Sequence, residues 1–176
     1  TLSAAPNFAY ELCLNKVADQ ELEGLDLGSW RFSCNGAEPV SPQTVRAFNE
    51  RFARYGLRPA TVAPVYGLAE CAVGLTFPPL GRPARIERVR AEPLRQNARI
   101  EPAAADEADA VEVVGCGMPL PGHELRIVDD DDRELGDRQV GRIQFRGPSA
   151  TRGYHDNPQA NAALRHGDWL DSGDLG

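Results

Sequence analysis

The tightest constraint on the fold is a run from Trp30 to Tyr66 in which two apolar segments flank one amphipathic segment. Trp30 to Cys34 is short and half apolar, and Asn35-Gly36 closes it with a turn signal. Ser41 stands where a helix cap belongs, Pro42 takes the first helical position, and Val45, Phe48 and Phe52 recur along one face. Gly56 stops that helix, and Val62 to Tyr66 has the composition of a second buried strand. Strand, helix and strand joined this closely predict a βαβ unit. Its sheet is then parallel, with ligands bound at the carboxyl ends of the strands. Upstream, Leu12, Val17 and Leu22 repeat with a helix-like period inside Phe8 to Leu22, and Gly24 and Gly28 break the pattern.

The texture changes after Phe77. Pro78 to Asp109 carries Pro78, Pro79, Pro83, Pro93 and Pro102 among many Arg and Ala and has no clear period. It is expected to be an insertion or linker with a few short strands. From Val111 onward short strands recur at Val111 to Val114, Glu124 to Val128 and Val140 to Phe145, separated by turn signals. The expected fold is therefore α/β: a parallel βαβ subdomain over 1–77, an insertion over 78–110, and a smaller antiparallel, barrel-like part over 111–176.

Composition excludes several function classes. A net charge of -7 with dispersed basic residues argues against a nucleic-acid surface. No apolar run approaches the roughly 20 residues of a membrane span, and TLSAAPNFAYELC lacks the basic region of a signal peptide, so a cytoplasmic protein is expected. Cys13, Cys34, Cys71 and Cys116 form no CxxC and no Cys/His cluster, which leaves small buried thiols as the expectation. Asp129 to Asp132 lacks EF-hand spacing and is expected to be a solvated hairpin turn, and His123, His155 and His166 are expected at the surface. Of 19 basic residues only Lys16 is a lysine, so chemistry that needs a lysine has one candidate here.

One acid stands out. In "PVYGLAECAVG" Glu70 follows the second buried strand, at the edge where such sheets bind ligands. A carboxylate there suits Mg²⁺, a hard cation held by one or two carboxylates together with substrate phosphates. Tyr66 offers a ring for stacking on a base, and Gly67 permits close approach of a ligand to the backbone. The competing explanation is a Glu that caps the next helical turn.

Three further blocks decide what the chain resembles: "NGAEPV" at Asn35 to Val40, "RIQFRGPSATRGYHDNP", and "SGDLG" at Ser172 to Gly176. Together with "PVYGLAE", and in this order, they resemble the adenylate-forming ligase superfamily of acyl-CoA synthetases, nonribosomal adenylation domains and luciferases. "PNFAYELC", "NGAEPV", "PVYGLAE" and "GMPLPGHELRIVDD" are most similar to the fatty acyl-AMP ligases, and the resemblance covers nearly the whole chain.

The resemblance implies an ATP- and Mg²⁺-dependent reaction in which a fatty acid becomes an acyl-adenylate, with an acyl carrier protein as the acceptor. It places Gly36, Ala37 and Glu38 in the turn lining the adenine, Tyr66 against the base, Glu70 on Mg²⁺ and phosphate, and Asp174 on the ribose hydroxyls. Gly153-Tyr154 matches the family's structural turn. Asn7 to Tyr10 lies where the family forms its acyl pocket, although Phe8 and Tyr10 serve equally as helix core. Three departures count. The family's phosphate loop with its lysine is absent from the sequence, as is the lysine-bearing domain expected after Asp174. The family's usual Gly-Glu-Ile is Gly141-Arg142-Ile143 here, a charge reversal without an evident partner. The chain is thus expected to be an inactive piece of a ligase. An acyl-CoA synthetase and a non-catalytic nucleotide- or acyl-binding module stay open as alternatives.

Overall fold

The computed structural model describes residues 1–176, with the side chain of Asn97 outside the description. The chain divides into two compact units. One comprises 1–67, 76–86 and 113–118; the other comprises 68–75, 87–112 and 119–176.

The first unit begins with β1 (Leu2–Ala5), α1 (Asn7–Lys16), β2 (Phe32–Asn35), α2 (Pro42–Ala53) and β3 (Val62–Pro64). The strands form a parallel sheet in the order β1-β2-β3, as the βαβ spacing predicts. Helix α2 starts where the sequence places it: the Ser41 hydroxyl accepts from the Thr44 N–H at 3.2 Å, with Pro42 in the first turn. Its apolar face packs Val45, Phe48 and Phe52 against Tyr10, Leu22, Leu57 and Val62. The Phe48 ring meets Tyr10 edge-on at 5.1 Å and Phe52 at 4.4 Å, geometries that aromatic rings favour.

The expected Phe8 to Leu22 helix is shorter. α1 ends at Lys16, and Asp19–Leu22 forms a separate 3-10 turn whose Glu21 carboxylate accepts from the Ala18 N–H at 2.8 Å. Phe8 is exposed, whereas Tyr10 is core: its hydroxyl pairs with Ser33 at 2.6 Å and donates to the Cys34 carbonyl at 2.9 Å.

The remaining elements are β4 (Thr76–Phe77), β5 (Arg85–Val89), α3 (Ala91–Asn97), β6 (Val111–Gly115), β7 (Met118–Pro119), β8 (Glu124–Val128), β9 (Arg142–Arg146), α4 (Pro158–Leu164), β10 (Arg165–His166) and β11 (Trp169–Leu175). β4 pairs with β7 and β5 with β6. The second unit is built on a four-stranded antiparallel sheet in the order β10-β11-β9-β8. This sheet is open: the barrel-like expectation gives way to small sheets, because the outer strands β10 and β8 do not pair with each other. Arg88 and Arg90 brace the segment between β5 and β6. Arg88 donates to the carbonyls of Ala104, Ala105 and Glu107, and Arg90 pairs with Glu101 and Glu107.

The cysteines are free, but only Cys71 is fully buried; Cys13, Cys34 and Cys116 are half-buried. Burial still pushes the Cys34 and Cys116 thiols up, which keeps them protonated and unreactive. Among the described residues no helix is long and apolar enough to cross a membrane.

Candidate functional site

In the first unit the sheet's carboxyl edge brings two of the predicted segments together. β2 ends at Asn35, paired with Pro64, and the Val65 N–H donates to the Asn35 carbonyl at 2.9 Å. Gly36 is buried beside Val65, where a Cβ would lie 2.8 Å from the Val65 carbonyl oxygen, so only glycine fits. Ala37 follows at φ +65°, and Ala37 and Glu38 are exposed. Glu38 accepts from the Phe8 N–H at 2.6 Å, which ties the turn to the start of α1. Asn7 is buried between them: its carbonyl oxygen accepts from the Asn35 amide and the Ser41 N–H, both at 3.2 Å. Tyr66 is half-buried and exchanges backbone bonds with Thr76 at 2.9 and 3.2 Å, and Gly67 follows it. The exposed Ala37-Glu38 turn and the half-buried Tyr66 both follow strand ends on this edge of the sheet.

In the second unit Glu70 belongs to a 3-10 turn, Ala69–Cys71. Hydrogen bonds lace this turn to the loop after β9. The Thr151 N–H donates to the Glu70 carbonyl at 2.7 Å, and the Ser149 hydroxyl donates to the Cys71 carbonyl at 3.3 Å. His123 meets the same hydroxyl at 2.7 Å. The Glu70 side chain does not cap its own turn; its Oε1 accepts from the Tyr154 hydroxyl. That bond, with the carboxylate charge behind it, raises the Tyr154 phenol above its usual value. One oxygen is thereby fixed and the other keeps its lone pairs. No group of three or more His, Cys, Asp or Glu side chains able to hold a metal occurs among the described residues. A hard cation on Glu70 would draw its other ligands from phosphate and water, the habit of Mg²⁺, so the donor set fits that ion.

The turn leaves through two residues with left-handed backbones, Ala72 at φ +47° and Val73 at φ +75°. Val73 is β-branched and 78% exposed, so no core contact offsets its strain.

Asp174 is exposed on β11, within a bulge between Asp171 and Leu175. Gly173 there has φ +78°. Asp171 accepts from the Gly173 N–H at 2.8 Å, and the Ser172 hydroxyl donates to the Ile143 carbonyl at 2.9 Å while accepting from the Asp174 N–H at 3.1 Å. The charge reversal at Arg142 finds its partners in this strand and in the aspartate run. Arg142 binds the Asp171 carboxylate and the Asp129 carbonyl, and reaches Asp132 at 2.7 Å.

Asp132 is therefore more than a solvated turn residue. It also takes His166 and Gln144, each at 2.7 Å. Bonds from His166, Arg142 and Gln144 hold its carboxyl far below the usual range. The aspartate run gave no sign of this, because four consecutive acids have the composition of a hairpin tip. His155 is exposed as expected, whereas His123 and His166 are half-buried and bonded.

These elements and motifs are those of the adenylate-forming ligases. The chain belongs to the AMP-binding enzyme family, which matches residues 1–155. A Caulobacter vibrioides relative named as an acyl-CoA synthetase is 36% identical over 100% of this chain and 31% of its own length. The medium-chain-fatty-acid–[acyl-carrier-protein] ligase JamA of Moorena producens is 36% identical over 99% of this chain and 30% of its own. The fatty acyl-adenylate ligase of L. pneumophila, solved with acyl adenylate and pyrophosphate, superposes with a TM-score of 0.91 at 32% identity, covering 100% of this chain and 32% of that one. The chain thus spans about a third of the length of the relatives it matches.

Proposed function

We propose that this chain is part of a cytoplasmic, ATP- and Mg²⁺-dependent fatty acyl-AMP ligase that passes its acyl group to an acyl carrier protein. The observation that carries this is the likeness, over the whole chain, to a ligase solved with acyl adenylate and pyrophosphate. JamA, named for transfer to a carrier protein, supports that acceptor. The resemblance to the fatty acyl-AMP ligases implies an insertion after "YGLAE" that goes with this choice, and Pro78 to Asp109 stands at that place in the sequence.

Each candidate residue has a role here. The turn Gly36-Ala37-Glu38 lines the adenine, Tyr66 stacks on it, and Gly67 leaves room for the nucleotide. Asp174 accepts from the two ribose hydroxyls, which an ionised carboxylate does with both oxygens. Glu70 holds the cation and, through it, the phosphates. Mg²⁺ supplies charge that offsets the phosphate oxygens in the transition state. The fatty acid carboxylate attacks the α-phosphate, and pyrophosphate leaves. With Lys16 as the single lysine, on α1, the chain by itself is inactive.

The test uses the full-length protein carrying this chain. Glu70→Gln is expected to lower fatty-acid-dependent ATP–pyrophosphate exchange about 10²-fold while leaving the fold intact. Asp174→Ala is expected to weaken ATP binding by about 1–3 kcal/mol. Unchanged turnover and metal dependence in Glu70→Gln would refute the role of that acid. Acyl transfer to coenzyme A in preference to a carrier protein would move the protein to the acyl-CoA synthetases. Exchange by the isolated chain that survives Lys16→Ala would overturn its inactivity.

A further inference from the structure

The geometry points to Tyr154, clasped by Asn161, as the residue that positions the Glu70 carboxylate for its cation. This rests on the proposed role of Glu70 and adds a positioning residue to that site.

Three observations carry it. First, the Tyr154 hydroxyl donates to Glu70 Oε1 across 84 positions of sequence. Second, the backbone of Tyr154 is held in both directions by one side chain of α4. The Tyr154 N–H donates to Asn161 Oδ1 at 2.6 Å, and Asn161 Nδ2 donates to the Tyr154 carbonyl at 2.8 Å. Third, the residue before Tyr154 is shaped for this clasp: Gly153 has φ +130°, and a Cβ there would lie 2.5 Å from Asn161 Oδ1.

The helix carrying Asn161 is itself pinned at its start, where the Asn157 side chain accepts from the Ala160 N–H at 3.0 Å. A chain of fixed contacts thus runs from α4 through Asn161 and Tyr154 to Glu70. A phenol that is 41% exposed would ordinarily sample several rotamers; here its backbone is held and its hydroxyl is engaged.

What this does chemically follows from the carboxylate. A Glu side chain in a short turn carries three side-chain torsions, and each unproductive rotamer lowers the fraction able to bind metal. Tying Oε1 to a neutral donor fixes those torsions without neutralising the charge. The second oxygen would then keep its lone pairs for a cation. Partners that orient a metal ligand in this way are worth about 10- to 100-fold in metal affinity.

The experiment uses the full-length protein with Mn²⁺ as the probe, read by EPR with a non-hydrolysable ATP analogue present. Tyr154→Phe removes one oxygen and keeps the ring. It is expected to raise the Mn²⁺ dissociation constant about tenfold while analogue binding without metal stays unchanged. Asn161→Ala should act in the same direction and add little in the Tyr154→Phe background, since both break one chain of contacts. The bond itself is read independently, by NMR titration of the Tyr154 phenol with and without Glu70→Gln. The phenol should titrate lower when the charge is removed.

If Glu70→Gln weakens Mn²⁺ binding and Tyr154→Phe does not, the positioning role is wrong and the role of Glu70 stands. If neither variant changes Mn²⁺ binding, the role of Glu70 fails and the positioning role fails with it. A phenol that titrates identically in both backgrounds would show the bond absent in solution and would overturn the inference alone.

Discussion

The two units solve the same problem with different interactions. The first buries Tyr10, Val45, Phe48, Phe52, Leu57 and Val62 in one apolar cluster beneath a parallel sheet. The second buries apolar residues too, Val128 and Phe145 among them, but runs a charged lattice through its sheet. Arg142, Asp171, Asp132, His166 and Gln144 share it, and Arg126 and Arg146 each lie 4.5 Å from the centroid of the Trp169 ring. Apolar burial is indifferent to pH and nearly so to salt, whereas ion pairs depend on both. Solution conditions therefore act most on the unit that carries Asp174 and Glu70, since the ion pairs of Asp19 with Arg51 and Arg54 in the first unit lie outside its apolar cluster.

The largest expected effect breaks the apolar side of the comparison. Phe48 is 3% exposed and contacts three aromatic rings, so Phe48→Ala should cost about 3–5 kcal/mol in urea unfolding of the purified protein. That cost should be the same at pH 4 and pH 7. A strong pH dependence would mean that the Phe48 cluster is coupled to the Asp19 ion pairs of the same unit.

A smaller effect tests the charged side. Arg142→Ala strips the guanidinium from Asp171, whose side chain is only 10% exposed, and should cost about 2 kcal/mol at pH 7. The cost should shrink in acid. The folded protein holds the Asp132 carboxyl well below the ordinary value of 3.8, so it binds that proton less readily than the unfolded chain does. Stability from this acid is complete above about pH 4 and is lost as pH falls below it. Hydrogen exchange in β9 and β11 at two pH values reads the effect directly, and equal costs at both would remove Asp132 from the account.

Sequence reasoning succeeds where one element explains itself. Ser41, Pro42 and the Val45-Phe48-Phe52 spacing define α2 locally, and the run Glu124 to Val128 between turn signals defines β8 to the residue. It fails where structure is imposed from far away. Leu2–Ala5 has small residues and no strand signature, yet pairing with Phe32–Asn35 makes it β1. In β11 the strand continues through Asp171-Ser172-Gly173-Asp174, residues that disfavour strands, because a bulge and three side-chain bonds absorb them.

The site divides the same way. Gly36, Tyr66 and Glu70 were legible as types of residue at the tip of a strand. The partners Tyr154 of Glu70 and Asp132 of Arg142 were not, since hydrogen bonds across the fold leave no local periodicity.

The smallest expected effect has the opposite sign. Val73→Gly should raise stability by about 0.5–1 kcal/mol, less than the strain released because the unfolded chain also gains freedom. Thermal unfolding would detect it, and a loss of stability would show that the left-handed backbone at Val73 carries no strain.

The consequence reaches beyond thermodynamics. Natural selection for stability alone would have replaced Val73, since a single substitution removes the strain. A stiff, ill-fitting residue directly after the Glu70 turn limits how far that turn can wander, and a glycine would let it roam. Ala72 and Val73 thus mark a trade between durability and the stiffness of the Glu70 turn, in which the easiest gain in stability would loosen the acid proposed to hold the metal.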